Sequence, residues 1–140
     1  MKNVQSCLRL KIKYLIMYNY NAKCVRVVDG DTIDAMIDLG FGVHVKKRIR
    51  LAGINAPESR TRNKVEKKLG LAAKERLIEL MEGAANVFEL ESKEIGKYGR
   101  VLGVIYINKL SGKDTITQAC INEMLVSEGH ATEYDGGKRI

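Results

Sequence analysis

Apolar and polar side chains alternate through much of the first third of the chain. Leu8, Leu10, Ile12, Tyr14 and Ile16 interleave with Arg9, Lys11 and Lys13, the two-residue period of a strand. Residues 1–16 read as this extra strand or as an N-terminal extension, because Met17 opens a second natural-looking start. Residues 25–28 lead into Asp29-Gly30, after which Ile33, Ala35, Ile37 and Leu39 alternate with Thr32, Asp34, Met36 and Asp38. This predicts a hairpin whose turn is the Asp-Gly pair. It leaves Asp31 unexplained, since such a turn needs one aspartate. Beyond the turn signal "LGFG" at 39–42, Val43, Val45, Ile49 and Leu51 alternate with His44, Lys46, Arg48 and Arg50, so one face of this strand is apolar and the other basic. The single proline follows in "GINAPE", 53–58. Lacking an N–H, it ends the ladder and disposes Ala56 to an extended backbone with its carbonyl directed outward.

The period then changes. Asn63 with Glu66 three residues later makes a capping-box start, and Val65, Leu69, Ala72, Ala73, Leu77, Leu80 and Met81 recur at helical spacing up to a stop at Gly83. Residues 87–91 alternate as a strand, and residues 101–107 are apolar on both faces, as in a well-buried strand. Residues 117–128 predict a second helix ending at Gly129, and residues 135–140 read as a frayed tail. Three or more consecutive antiparallel strands before the first helix argue against an alternating α/β fold. The predicted class is α+β, mainly β: a five-stranded OB-type barrel with two or so helices, spanning residues 17–134.

Composition narrows the function classes. With 140 residues, 45% of them apolar, and one proline, the chain supports one compact domain rather than a disordered segment. No apolar run reaches the length of a bilayer span, and "LRLKIKYLIMY" is broken by charges and lacks a small-residue cleavage site, so a membrane role and a signal peptide are not expected. Cys7, Cys24 and Cys120 fit neither a disulfide framework nor a zinc spacing. The expected setting is the reducing cytoplasm, and the expected state a monomer. The net charge of +7, from 24 Lys plus Arg against 17 Asp plus Glu, favours a polyanionic partner, DNA or RNA foremost.

Three segments hold polar residues that strand and turn chemistry does not require: Asp31, the stretch from 50 to 58, and "KYGR" at 97–100. Asp31, Asn55 and Glu58 all fall at strand ends, where barrel loops can gather them. Carboxylate, amide and carbonyl oxygens are hard donors that suit Ca²⁺ or Mg²⁺ rather than zinc. Arg50 and Arg100 carry planar forks that grip phosphate oxygens. Bare carboxylates repel a phosphate; a divalent cation between them removes the conflict. On this reading Asp31 belongs in a basic, phosphate-facing site because it holds a metal. Taken singly, each piece is ordinary: Asp-Gly-Asp is usually a turn, and a lone strand arginine is usually solvated or paired.

In combination, "VVDGDT" (27–32), "IRLAGINAPE" (49–58), "KYGR" (97–100) and "NEMLVSEGHA" (122–131) resemble the staphylococcal nuclease family in order and spacing. The resemblance implies Asp31, Asn55 and the carbonyl of Ala56 as metal ligands, with calcium the expected ion. It implies Glu58 as the base that activates water, Arg50 and Arg100 as the phosphate clamp, and Asp29 as an acid behind the ion. Lys97 and Tyr98 match nucleotide-contacting positions, and Tyr134 lies near a third. The implied activity is hydrolysis of DNA or RNA with little sequence preference, leaving a 3′-phosphate. One departure stands out: the second ligand, usually aspartate, is Asn55. The rival function is a non-catalytic OB module that binds single strands.

Overall fold

The computed structural model describes residues 18–95, 100–110, 112 and 115–134. The alternating stretch at 8–16, Lys97, Tyr98 and the tail at 135–140 lie outside these residues. The alternation read in the sequence becomes three long antiparallel strands, β1 (Tyr18–Asp29), β2 (Thr32–Gly40) and β3 (Val43–Leu51). A short β4 (Ile54–Asn55) stops before Ala56-Pro57, and α1 (Lys64–Gly83) follows. Then come β5 (Val87–Ile95), β6 (Val101–Leu110), β7 (Ile116–Cys120), α2 (Ile121–Ser127) and β8 (Thr132–Glu133).

The strand order is β3-β2-β1-β5-β6-β7, and a parallel pairing of β3 with β6 closes the first five into a barrel. The fold is thus α+β and mainly β: among the described residues, a closed five-stranded OB-type barrel with one further strand, β7, on its edge and two helices. Inward side chains such as Ile33, Ile49, Leu51, Leu90 and Ile105 fill the barrel, each at most 1% exposed. Leu77 and Met81 of α1 and Ile121 and Leu125 of α2 complete the same core. Each such burial stabilises by roughly 1.5–3 kcal/mol relative to exposure.

Four details differ from the sequence reading, each for a physical reason. The β1–β2 turn is Gly30-Asp31, because Asp29 still pairs with Thr32. Gly30 is needed for space rather than for a left-handed backbone: a Cβ there would lie 2.6 Å from the Cβ of Ala73 in α1 and 3.1 Å from that of Ala56. The Asn63 cap holds, its Oδ1 accepting from Val65 N–H at 3.0 Å and Glu66 N–H at 3.2 Å, but the capping box does not close. The Asn63 N–H donates to Thr61 Oγ1 instead, and the Glu66 carboxylate accepts from Glu58 N–H at 3.5 Å. Residues 116–120 are not the start of a helix. They form β7, paired from Leu110↔Ile116 to Tyr106↔Cys120, because the outer edge of β6 offers backbone groups that a hairpin satisfies. Finally, β8 pairs with β4 in a two-stranded sheet, Ile54↔Glu133 and Asn55↔Thr132, which local pattern did not signal.

Candidate active site

Closure of the barrel brings the distant segments together. The parallel register Ile49↔Val101 and Arg50↔Leu102 sets Arg50, near the end of β3, beside the start of β6, which Arg100 immediately precedes. The β2–β3 register places Thr32 opposite Arg50, so the β1–β2 turn with Asp31 sits at the same end. The β4 strand and the segment after it then cross this end. The result is a small polar cavity of about 130 Å³ lined by Asp29, Asp31, Thr32, Arg50, Asn55, Ala56, Pro57, Glu58 and Arg100.

Asp31 is 7% exposed and ties this end together. Its Oδ2 accepts from the Ala56 N–H at 2.9 Å, and its Oδ1 accepts from the Thr32 hydroxyl at 2.9 Å. Its backbone carbonyl accepts from the Leu51 N–H at 2.8 Å. A buried carboxylate is tolerated only with such donors. Arg50 reaches across the cavity. Its Nη1 lies 3.4 Å from Asp31 Oδ2 and donates to the Leu51 carbonyl at 3.0 Å, while its Nη2 donates to Asn55 Oδ1 at 3.2 Å. Oxygens of Asp31 and Asn55 therefore face the same positive group, although 24 residues separate them in the chain.

The donor chemistry fits a hard divalent cation: the lining brings the Asp31 carboxylate, the Asn55 amide and the main chain of Ala56 together, and among the described residues it includes no thiolate or imidazole. Among the described residues, no three His, Cys, Asp or Glu side chains group closely enough to hold an ion by themselves. Asp29, half-buried behind the turn, accepts through Oδ1 from the hydroxyl of Ser59. Glu58 is exposed at the cavity rim. Its backbone is pressed by α1, for a Cβ at Gly70 would lie 2.4 Å from the Glu58 carbonyl oxygen.

Of the ten site residues expected from the sequence, seven line this cavity: Asp29, Asp31, Arg50, Asn55, Ala56, Glu58 and Arg100. Lys97 and Tyr98 lie outside the described residues. Tyr134 does not line it. It borders a larger groove of about 1060 Å³ between β4, β6, α2 and β8, which shares Asn55 with the polar cavity, and its N–H donates to the Gly53 carbonyl at 2.8 Å. The small cavity is the better candidate despite its size, because it alone of the two gathers acid, amide and guanidinium groups. His44 is exposed, 4.0 Å from Asp38, and Cys24 and Cys120 lie away from the cavity.

Three positioning residues escaped the sequence reading. Ser59 left no signal. Gly70 left one, a glycine inside a helical period. Asn122 opens a quoted motif whose resemblance implies no task for it. Its buried amide accepts from Ile105 N–H at 3.1 Å and donates to the carbonyls of Ala52 at 2.8 Å and Gly103 at 3.2 Å. It thereby clamps the β3–β4 turn and β6 to α2.

Comparison with known proteins points to one family. The family described as Staphylococcal nuclease homologue matches residues 48–139. Similar proteins include Micrococcal nuclease of Shigella flexneri, 34% identical over 118 residues, and Protein ParB of Escherichia coli, 31% identical over 114 residues. The alignments cover 83% and 79% of this chain but only 59% and 55% of those proteins, so the chain spans little more than half of their length. With the family match covering most of its length, the chain belongs to the staphylococcal nuclease homologue family.

Proposed function

We propose that this protein is a metal-dependent phosphodiesterase that hydrolyses DNA or RNA with little sequence preference. The observation that carries the reading is the convergence of Asp31, Asn55, Glu58, Arg50 and Arg100 on one polar cavity, in a chain of this family. The name of the nuclease relative supports it further. Asp31, Asn55 and the Ala56 carbonyl would hold calcium, with magnesium a possible substitute, and the ion would supply Lewis-acid polarisation of a phosphoryl oxygen.

The remaining chemistry falls to the chain's own side chains. Arg50 and Arg100 would clamp the non-bridging oxygens and the charge that develops on them. Preorganised donors of this kind are typically worth about 10²–10³ in turnover. Glu58, at the rim and open to solvent, would take the proton of a water attacking in line, a step typically worth ~10²–10⁴. Attack opposite the 5′ oxygen would break that P–O bond and leave a 3′-phosphate. Lys97, Tyr98 and Tyr134 would contact the nucleotide. Contacts confined to phosphate and sugar read no bases, which accounts for weak sequence preference.

The test is single-stranded DNA incubated with the pure protein in calcium, with and without chelator, beside Glu58→Gln, Arg50→Ala and Arg100→Ala. Cleavage should stop with chelator. It should fall by about two or more powers of ten in each variant while the fold persists. Binding of DNA without cleavage in calcium would replace this reading with the non-catalytic OB module.

A further inference from the structure

Phe41 stands at the tip of the β2–β3 hairpin with 104% relative exposure, between Leu39 at 43% and Val43 at 50%. Gly40, Phe41 and Gly42 all adopt positive φ, 85°, 57° and 74°. A bulky residue in that region is an outlier. An aromatic ring held there buries nothing and strains its own backbone, so folding gives no reason for it.

The ribbon beneath the tip is basic. Arg50, Arg48, Lys46 and His44 alternate along one face of β3, from the cavity to the tip. Across the sheet, Arg26 shares a register line with Asp34 and Arg48, and Lys23 shares one with Met36 and Lys46. Asp34 pairs with Arg48 at 2.8 Å, and Asp38 lies 4.0 Å from His44, so these acids offset only part of the charge. β1 stops pairing with β2 at Ala22↔Ile37, leaving residues 38–44 as a projecting two-stranded ribbon. The major groove of a duplex admits such a ribbon. From Arg50 to Phe41 is nine residues, which at ~3.3 Å each is roughly 30 Å, close to one turn of duplex.

We propose that the β2–β3 ribbon is a second nucleic-acid contact: its basic face follows the phosphates of a duplex, and Phe41, Leu39 and Val43 seat in a groove about one turn from the phosphate in the cavity. This rests on reading the cavity as a phosphodiester site. An apolar tip with a basic collar also suits an anionic membrane. Continuity decides for nucleic acid, because the basic row begins at Arg50, a wall of the cavity.

The test is binding of the intact chain, read by fluorescence anisotropy in chelator so that it does not depend on cutting. Parent and Phe41→Ala are compared on hairpin-closed duplexes with stems of about six and about 24 base pairs, shorter and longer than the ~30 Å reach. Phe41→Ala should bind the long duplex roughly tenfold more weakly and the short one equally well. A Lys23→Glu, Lys46→Glu variant, both changes on the basic face, should flatten the salt dependence on the long duplex by a slope of about two. Equal affinity of parent and Phe41→Ala for the long duplex overturns the proposal. So does equal loss at both lengths, or a loss confined to phosphatidylserine vesicles. Cleavage of a short oligonucleotide in calcium, run beside these titrations, reports on the cavity alone. If that fails while the length-dependent loss remains, the catalytic reading of the cavity falls, and the ribbon contact, which needs only a phosphate bound there, stands.

Discussion

Asn55 illustrates how much one atom can change at a site. Its amide oxygen faces the same guanidinium as Asp31, so its position suits a cation, but it brings no charge. Affinity of oxygen sites for calcium rises with the number of charged ligands. Asn55→Asp is therefore expected to bind calcium at least several-fold more tightly by titration calorimetry; equal affinity in the two proteins would remove Asn55 from the ion's neighbourhood. The substitution was legible in the sequence because the surrounding motif is. Ala85 was not. It holds φ 56° just past α1, next to Asn86 at 63°, and alanine carries no local signal for that conformation. A left-handed backbone costs a non-glycine residue roughly 1–2 kcal/mol. Ala85→Gly is expected to raise stability to urea by about 0.5–1 kcal/mol, the greater freedom of glycine in the unfolded chain taking back part of the gain.

At the scale of elements, the first helix is positioned by what it lacks. Gly70 lets α1 approach the backbone of Glu58 and Ser59, where a Cβ would stand 2.4 Å from the carbonyl oxygen of the one and 2.7 Å from the nitrogen of the other. Helix propensity alone says that alanine at this position should stabilise by about 1 kcal/mol. The contact argues the reverse: Gly70→Ala is expected to lower the melting temperature and, through displacement of Glu58, the rate of cleavage. A raised melting temperature would show that the loop yields. The second half of α1 is tied to the residue after α2 by Arg76, whose Nε donates to Glu128 at 2.6 Å. These couplings explain why α1 was readable and β7 was not. The period of α1 is long and capped by its own Asn63, whereas residues 116–120 become a strand only because the edge of β6 is there to receive them.

For the molecule as a whole, stability should be flat near neutrality and fall on both sides. On the acid side, Arg48 holds Asp34, Arg76 holds Glu128, and Lys93 with Tyr106 holds Glu91 below their ordinary values of 3.8, 4.5 and 4.5. Each stabilises the fold above its unfolded value and loses that contribution as pH falls through its lower folded value. On the alkaline side, burial pushes the thiols of Cys24 and Cys120 above 9.0 and, with Glu91, the Tyr106 phenol up to about 12. There the unfolded chain releases protons first, so stability declines as pH rises past 9.0. Urea midpoints from pH 2 to 11 should trace this plateau with two shoulders. Replacing Arg76 by Met should shift the acid shoulder; an unchanged acid limb would mean that the Glu128 pairing contributes nothing at the surface.

The strand alternation, the capped helix, the basic balance and the motifs that carry chemistry are properties of neighbouring residues, and the chain's own order was enough to read them. Barrel closure, the pairing of β4 with β8, the edge strand β7 and the meeting of Asp31 with Arg50 and Asn55 depend on backbone groups far apart in the chain. No local period encodes which unpaired edge another segment will satisfy, or which glycine leaves room for a helix. Those choices are made by hydrogen bonding and close packing once the core has formed, and they bring the separate acidic and basic segments to one cavity.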